Sequence, residues 1–333
     1  MTNFHSVPNK PSIKTFFCTF AVMKLDAVKY HLIIWPLHLV ALFPLKVLYL
    51  FSDLMSFVIH RMVRYRLKVV RRNLDLCFPD MSQKEKRAIE KKFYRHLCDI
   101  FVETIKLLHI SDSELRKRVE IGNKEIIESL VAKNKPIILY LAHYGNWEWV
   151  PALTLSLSEP KTMGALYKPL RNRVMNRVAL RLRSRFSSQC IPVKTAYRII
   201  MEMKREVPSF MIGFIADQRA LGVSLKHWTN FFGQRTAFYA GGETIGDHIG
   251  AAYIYLDVRL SARGHYKLTF TPIVPEVDNL SEKEIDRKDG VDFPYTRKYF
   301  EMLETTIRRA PAYWLWSHNR WKAFRHPSST KQS

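Results

Sequence analysis

Pro136 is followed by an unbroken apolar run, Ile137-Ile-Leu-Tyr-Leu141, after which the chain meets Gly145-Asn146. A short apolar segment closed by proline on one side and a Gly-Asn turn on the other predicts a buried strand. A second such run, residues 209–216, ends in Asp217-Gln218. Strands of this kind alternate along the chain with helical stretches, which restricts it to an α/β architecture with helices flanking a mixed sheet. Open α/β sheets collect their chemistry at the carboxyl ends of the strands. His143 and Asp217 are therefore expected at one sheet edge.

His143 and Glu148 stand five positions apart. On a regular helix that spacing separates side chains by about 140°, so they would not meet. The Gly145-Asn146 turn removes the constraint. Glu148 can fold back near the start of the next helix, accept a hydrogen bond from one imidazole nitrogen and leave the other free as a base. Taken alone the pair is a weak signal, because the same letters describe a strand-end histidine packed on Trp147 and Trp149 beside an exposed glutamate. Pro151 leaves the start of that helix open, since proline suits a first helical position and disrupts an interior one.

The chain carries 53 Lys and Arg against 30 Asp and Glu, a formal charge of +23 over 333 residues. Such an excess selects polyanionic partners: nucleic acid, anionic lipid or phosphorylated substrates. The charge abuts an apolar segment and shows no interleaved basic and aromatic sheet motif, so a lipid surface is expected and nucleic acid is not. Cys18, Cys77, Cys98 and Cys190 are widely spaced and form no C-x-x-C, which indicates neither a disulfide framework nor a zinc site.

Residues 1–29 lack strong periodicity and read as a loose extension. Residues 30–45 contain no Asp, Glu, Lys or Arg, and beyond Lys46 the apolar character resumes to residue 60, interrupted by Asp53. Pro36, Pro44, Lys46 and Asp53 spoil a clean span of about 20 residues. The segment is expected to anchor the chain in a membrane, as one imperfect transmembrane helix or as a helical pair in the interface; a buried core helix is the alternative. Arg61, Arg64, Arg66, Lys68, Arg71 and Arg72 follow with no acid among them. At helical spacing Arg61, Arg64, Lys68 and Arg71 share one face while Val63, Leu67, Val70 and Leu74 share another. Residues 30–75 thus combine an anchor with a basic amphipathic helix suited to anionic lipid, which by the positive-inside rule keeps the rest of the chain cytoplasmic.

Ser82-Gln-Lys-Glu85 is a capping box. It opens a helix expected to reach residue 108 with Ile89, Phe93, Leu97, Phe101 and Ile105 on one stripe, and with His96 and Asp99 in structural roles. A second helix, residues 124–132, leads into the first strand. Residues 161–168 predict another strand. Arg171, Arg173, Arg177, Arg181, Arg183 and Arg185 then follow without an acidic residue. Arginine forks bind phosphate bidentately, so this segment is a candidate phosphate site or a basic face on the membrane. Residues 195–206 predict a helix. Gly242, Gly246 and Gly250 recur at four-residue spacing on a later helix; since glycine costs about 1 kcal/mol there, the repeat implies close backbone packing. Residues 252–260 and 266–272 predict a strand pair around Arg263-Gly264. The polar stretch 280–292 is expected to be a surface loop or short helix, 295–309 the last helix, and the tail after His326 disordered.

His143-Tyr-Gly-Asn-Trp-Glu148 behind an Ile/Leu strand resembles the catalytic block of the lysophospholipid acyltransferase superfamily, in particular its lipid A biosynthesis (Kdo-lipid A late acyltransferase) branch. Tyr167-Lys168-Pro169, Phe231-Phe232-Gly233 and the closing aromatic block from Tyr313 to Lys322 resemble further blocks in the family's order, so the resemblance covers residues 40–325. It implies a glycerol-3-phosphate acyltransferase-like mixed sheet, with an acyltransferase domain over residues 76–326, a short tail over 327–333 and no metal or redox cofactor. It implies transfer of a fatty acyl chain from a thioester, on acyl carrier protein or another carrier, to a hydroxyl of a phosphorylated lipid A precursor at the cytoplasmic face of an inner membrane. His143 would be the general base and Glu148 its partner. Candidate substrate contacts are Asn146, Lys168, Arg171, Arg183, Arg185, Asp217, Gln218 and Arg320, with Asp217 matching an acceptor-site aspartate of the family. An aminolipid or glycosylated phospholipid acceptor is the alternative. A hydrolase would use the same histidine with water, but no G-x-S-x-G is present.

Overall fold

The structure is a computed structural model that describes residues 13–160, 162–186, 189–220, 227–275 and 293–322, with side chains from Asp26 onward, Ser184 excepted. The strands are β1 (Val119–Gly122), β2 (Ile137–Leu141), β3 (Met163–Tyr167), β4 (Gln189–Pro192), β5 (Met211–Ile215), β6 (His227–Phe231), β7 (Gln234–Phe238), β8 (Ala252–Ala262) and β9 (His265–Pro272). Seven of them form one sheet in the order β1-β9-β8-β2-β5-β3-β4. Neighbours run parallel except β8 and β9, which form an antiparallel pair. All five residues of β2 are buried, as a central strand covered on both faces requires.

The helices are α1 (Ile13–Leu42), α2 (Leu45–Phe57), α3 (Leu67–Cys77), α4 (Gln83–Lys106), α5 (Asp112–Arg118), α6 (Lys124–Ala132), α7 (Arg173–Arg183), α8 (Ala196–Glu206), α9 (Gly241–Ile249) and α10 (Pro294–Arg309). The capping box forms at the start of α4: the Glu85 amide donates to the Ser82 hydroxyl and the Ser82 amide to the Glu85 carboxylate. The expected stripe on α4 does not stay on one face. Steps of four advance about 40° each around a helix of 3.6 residues per turn, so the positions spread around α4: Phe93 and Ile105 are buried and Phe101 is 55% exposed.

The N-terminal region departs from expectation in two places. Helix α1 begins at Ile13, within the segment expected to be loose. The basic stretch is not one amphipathic helix, because a π-helical turn over Val58–Met62 and left-handed backbone at Arg64 and Arg66 break it before α3. Leu67, Val70 and Leu74 are buried on α3, whereas Val63 is 64% exposed on the far side of the break. No single helix among the described residues is long and apolar enough to cross a membrane; residues 26–42 and 45–62 meet the length and composition test as a pair bent by 117°.

Helix α2 is two-sided. Leu45, Leu48 and Tyr49 join the main core, and Ser52 donates to Asp99 on α4 at 2.5 Å. Arg263, in the β8–β9 turn, grips both Asp53 and Asp99 at 2.6 to 3.0 Å. The other side of α2 exposes Leu50, Phe51, Leu54 and Phe57, each by 59% or more.

Phe231-Phe232-Gly233 is the tip of the β6–β7 hairpin, which precedes α9. Gly242 and Gly246 on α9 face Tyr140 of β2 and Tyr253 of β8, as close packing onto the sheet demands. Gly250 serves differently: at φ +64° it is the left-handed cap that ends α9. The polar stretch 280–292 and the tail after His326 lie outside the described residues.

A Cβ on Gly246 would sit 2.4 Å from the Tyr253 oxygen. That hydroxyl is pinned by donating to the Glu243 carbonyl and the Asp247 carboxylate, so the ring has no easy retreat. Gly246→Ala is expected to destabilise the fold by about 1–3 kcal/mol through overpacking, despite alanine's better helix propensity. A drop in the urea midpoint at unchanged slope checks it.

Candidate active site

Strands β2 and β5 pair parallel with Leu141 opposite Ile215. Equal steps past that last pair bring the chain to His143 on one strand and Asp217 on the other, so the register itself sets the two side by side. The His143 backbone amide donates to Asp217 Oδ2 at 3.1 Å, and its Nδ1–H donates to Oδ1 at 2.7 Å. Trp314 Nε1, from the closing aromatic block, donates to the same Oδ2 at 2.8 Å. Burial pushes the Asp217 carboxyl up, but the adjacent imidazole and these donors outweigh burial and hold it below the ordinary aspartate value.

With Nδ1 committed to Asp217, the His143 ring presents Nε2 as its acceptor, where the Gln218 side-chain amide donates at 3.2 Å. The ring packs edge-on against Trp147 with centroids 5.1 Å apart, and its side chain keeps 17% of its surface exposed. His318 lies nearby and accepts from the Arg219 backbone amide at 3.1 Å. Burial lowers its pKa to about 4, so it is neutral at pH 7 and fit for that acceptor role.

The expected His143–Glu148 hydrogen bond is not formed. Glu148 opens a 3₁₀ helix, Trp147–Leu155, which accommodates Pro151 in its interior. There its carboxylate takes a bidentate bond from Arg183 on α7, Nε at 2.8 Å and Nη2 at 2.5 Å. This pairing holds the Arg183 guanidinium more firmly protonated than usual. The imidazole's carboxylate comes instead from Asp217, which the sequence pointed to an acceptor subsite. The strand register decides the matter, since it delivers Asp217 to Nδ1 while the 3₁₀ turn carries Glu148 toward α7.

Other expected contacts are redistributed. Asn146 is 2% exposed; its Nδ2 donates to Glu103 at 2.6 Å and its Oδ1 accepts from the Glu148 amide at 3.0 Å, so both ends are used internally. Arg185 turns away to donate to the Leu107 carbonyl and to Asp112. Arg320 is 2% exposed and donates to the Ala237 carbonyl at 2.7 Å, a core position closed to a bulky ligand. Lys168 and Arg171 are exposed just before α7, and Gln218 remains beside His143 Nε2.

A family model described as bacterial lipid A biosynthesis acyltransferase matches residues 19–323, a span that includes the whole of this constellation. The chain belongs to that family. Relatives include a lipid A biosynthesis palmitoleoyltransferase of Escherichia coli (strain K12), 25% identical over 260 residues, covering 78% of this chain and 80% of that one. A lipid A biosynthesis lauroyltransferase of the same organism is 28% identical over 140 residues, 42% and 45% of the two chains. The protein is thus an acyltransferase of lipid A biosynthesis.

In this acyltransferase the turn between His143 and Trp149 is shaped by α4, whose part sequence reasoning missed. His96 Nε2 meets the Gly145 carbonyl at 3.2 Å; burial lowers the His96 pKa to about 4, so the neutral ring donates there. Glu103, fully buried, accepts from Asn146, from Tyr49 Oη at 2.6 Å and from Tyr266 Oη at 2.7 Å. The available signal was a carboxylate two turns beyond a histidine on the same buried helix face, which a search for paired acids close in sequence does not register. Trp314 was legible as part of an aromatic block, but its donor role appears once the chain end folds back and bridges Tyr144.

Burial raises the Glu103 carboxyl to about 7 from 4.5, against three donors that pull it down. With the folded value above the unfolded one, the stability contributed by the protonated form is fully present below pH 4.5 and lost as pH climbs through 7. Glu103→Gln cannot ionise. The stability of the wild type relative to it is expected to fall across that window, by on the order of 2–4 kcal/mol. Urea midpoints taken at several pH values check this, and parallel curves for the two proteins would contradict it.

Proposed function

We propose that this acyltransferase moves a fatty acyl chain from a thioester donor to a hydroxyl of a lipid A precursor, with His143 as general base held by Asp217. The observation that carries the reading is the 2.7 Å Nδ1–Asp217 bond, which fixes the tautomer and leaves Nε2 as the acceptor on a side chain that is 17% exposed. An acceptor hydroxyl takes the place of the Gln218 amide at Nε2. As its oxygen attacks the thioester carbonyl, its proton passes to Nε2, and the buried Asp217 carboxylate stabilises the imidazolium. Collapse of the tetrahedral adduct forms the ester and expels the thiolate, which recovers the proton from His143. Atoms and charge balance without any further reactant.

Glu148 then has a different task from the one its spacing suggested. By holding two N–H groups of Arg183 it fixes the plane of a guanidinium whose side chain is 36% exposed, leaving other N–H groups for an anionic group of the substrate. Lys168, Arg171 and Arg173 are exposed at the opposite end of α7 and add positive charge there. A phosphorylated acceptor suits it, and so does the approach of an acidic acyl carrier protein.

The bent α1–α2 pair supports membrane association of an interfacial kind. The polar side of α2 is engaged in the domain by Tyr49, Ser52 and Asp53, while Leu32, Trp35 and Leu39 on α1 and Leu50, Phe51 and Leu54 on α2 are exposed. A helix with one side committed to protein and the other apolar lies in the headgroup region more readily than across a bilayer. The lipid acceptor would be presented from that surface.

With a lipid A precursor and an acyl thioester, His143→Ala is expected to lower kcat by about 10²- to 10⁴-fold, and Asp217→Asn by a comparable factor. The double variant should lose little more than either single one, because the pair acts as a unit. Mass spectrometry of the acylated product and of free fatty acid separates transfer from hydrolysis; multiplicative losses would overturn the pairing.

Replacing Phe51 and Leu54 by Glu should release the protein from anionic vesicles in a sedimentation assay, while the core face of α2 and the fold survive. Vesicle binding equal to wild type would remove the interfacial reading. Deleting residues 1–60 is a poorer test, since it also strips Tyr49, Ser52 and Asp53 from buried partners.

A further inference from the structure

The acceptor chemistry uses His143 and Asp217, yet Glu103, a fully buried acid with three side-chain donors, is bonded to neither. Its Oε1 accepts from Tyr49 on α2, and its Oε2 accepts from both Tyr266 on β9 and Asn146 in the active-site turn. Its backbone carbonyl accepts from Trp149 Nε1 at 3.1 Å. One turn pair earlier on the same helix face, His96 holds the Gly145 carbonyl. The stretch that joins His143 to Glu148 is therefore laid against α4 at Gly145, Asn146 and Trp149.

Asn146 is the pivot of this arrangement. Its amide has one acceptor and two donors on a planar group. With Nδ2 on Glu103, the carbonyl oxygen is turned to the Glu148 amide, which it caps. Rotate the amide and the cap is lost, because an NH₂ group cannot accept. The carboxylate thus selects which face of Asn146 meets the 3₁₀ helix, and through the start of that helix it orients the Glu148 carboxylate that grips Arg183.

We infer that Glu103 is a positioning residue of the acyl-transfer site: by fixing the orientation of Asn146 it sets the turn between His143 and Glu148. The inference rests on the reading of His143 and Arg183 given above. Tyr49 and Tyr266 hold the Glu103 carboxylate in place, and through Tyr49 the turn is tied to α2, the helix that carries the exposed apolar side. A merely structural acid would be needed for stability alone. A positioning acid is needed for turnover in a way that depends on Asn146.

The test is a double-mutant cycle measured as kcat and KM with a lipid A precursor and an acyl thioester, with thermal melting recorded for every variant. Glu103→Leu should lower kcat at least tenfold with KM for the thioester within about twofold, and Glu103→Gln, which keeps an oxygen for Asn146, should restore most of it. Glu103→Leu combined with Asn146→Ala should lose no more than Asn146→Ala alone. Should Glu103→Leu fail to fold, Asn146→Ala decides. It removes the cap on the Glu148 amide that Glu103 holds in place, so its kcat should fall at least tenfold with KM for the thioester within about twofold, whereas wild-type turnover would overturn the proposal. Tyr266→Phe, which leaves the Glu103–Asn146 bond intact, should lower the melting temperature with little change in kcat; a kcat loss matching that of Glu103→Leu would show that the network acts only through stability. Independent losses at Glu103 and Asn146 would also overturn it. Asp217→Asn run alongside keeps the two readings apart, because an inert Asp217→Asn indicts the base pair and says nothing against the cycle.

Discussion

The site depends on two parallel strands ending in register. Strands β2 and β5 are hydrogen-bonded neighbours with Leu141 opposite Ile215, so the residues that follow leave the sheet together. That puts an imidazole and a buried carboxylate in contact without either needing a long or adaptable side chain. A carboxylate as enclosed as Asp217 would be costly alone. Three donors answer it: the backbone and ring N–H of His143 and the indole of Trp314. The closing block, which reaches the site from far along the chain, is in this sense part of the candidate site.

Around that edge the structure separates two kinds of charge. Asp217 is buried and answers an imidazole; Glu148 is partly exposed and answers an arginine. The first arrangement suits proton transfer, because a fixed negative charge in a water-poor place favours an imidazolium over a neutral ring. The second suits binding, because a guanidinium held in one plane meets an anion with little further ordering. Lys168, Arg171 and Arg173 stand exposed at the other end of α7.

Helices α2 and α4 link this chemistry to the apolar surface. Helix α4 carries His96, Asp99 and Glu103 on its buried side, and each holds something different: the active-site turn, the Arg263 of the β8–β9 turn, and the Tyr49 of α2 together with Asn146. The apolar hairpin is accordingly built into the catalytic domain.

The sequence by itself determined the α/β class, the two buried strands, the capping box of α4, the close packing at Gly242 and Gly246 and the placing of His143 and Asp217 at one edge. These are local facts, set by apolar runs, turn residues and the periodicity of a helix or strand. It also carried the family resemblance that the match over residues 19–323 bears out. Which carboxylate meets the imidazole was decided by tertiary structure, because strand register between Leu141 and Ile215 is a non-local choice that no spacing between His143 and Glu148 encodes. The same holds for the bend between α1 and α2, the break before α3 and the fate of Asn146 and Arg185, each fixed by partners far away in the chain. Glu103 shows the reason most plainly: its three donors come from α2, from β9 and from the active-site turn, and a buried acid finds its meaning only when the chain has closed around it.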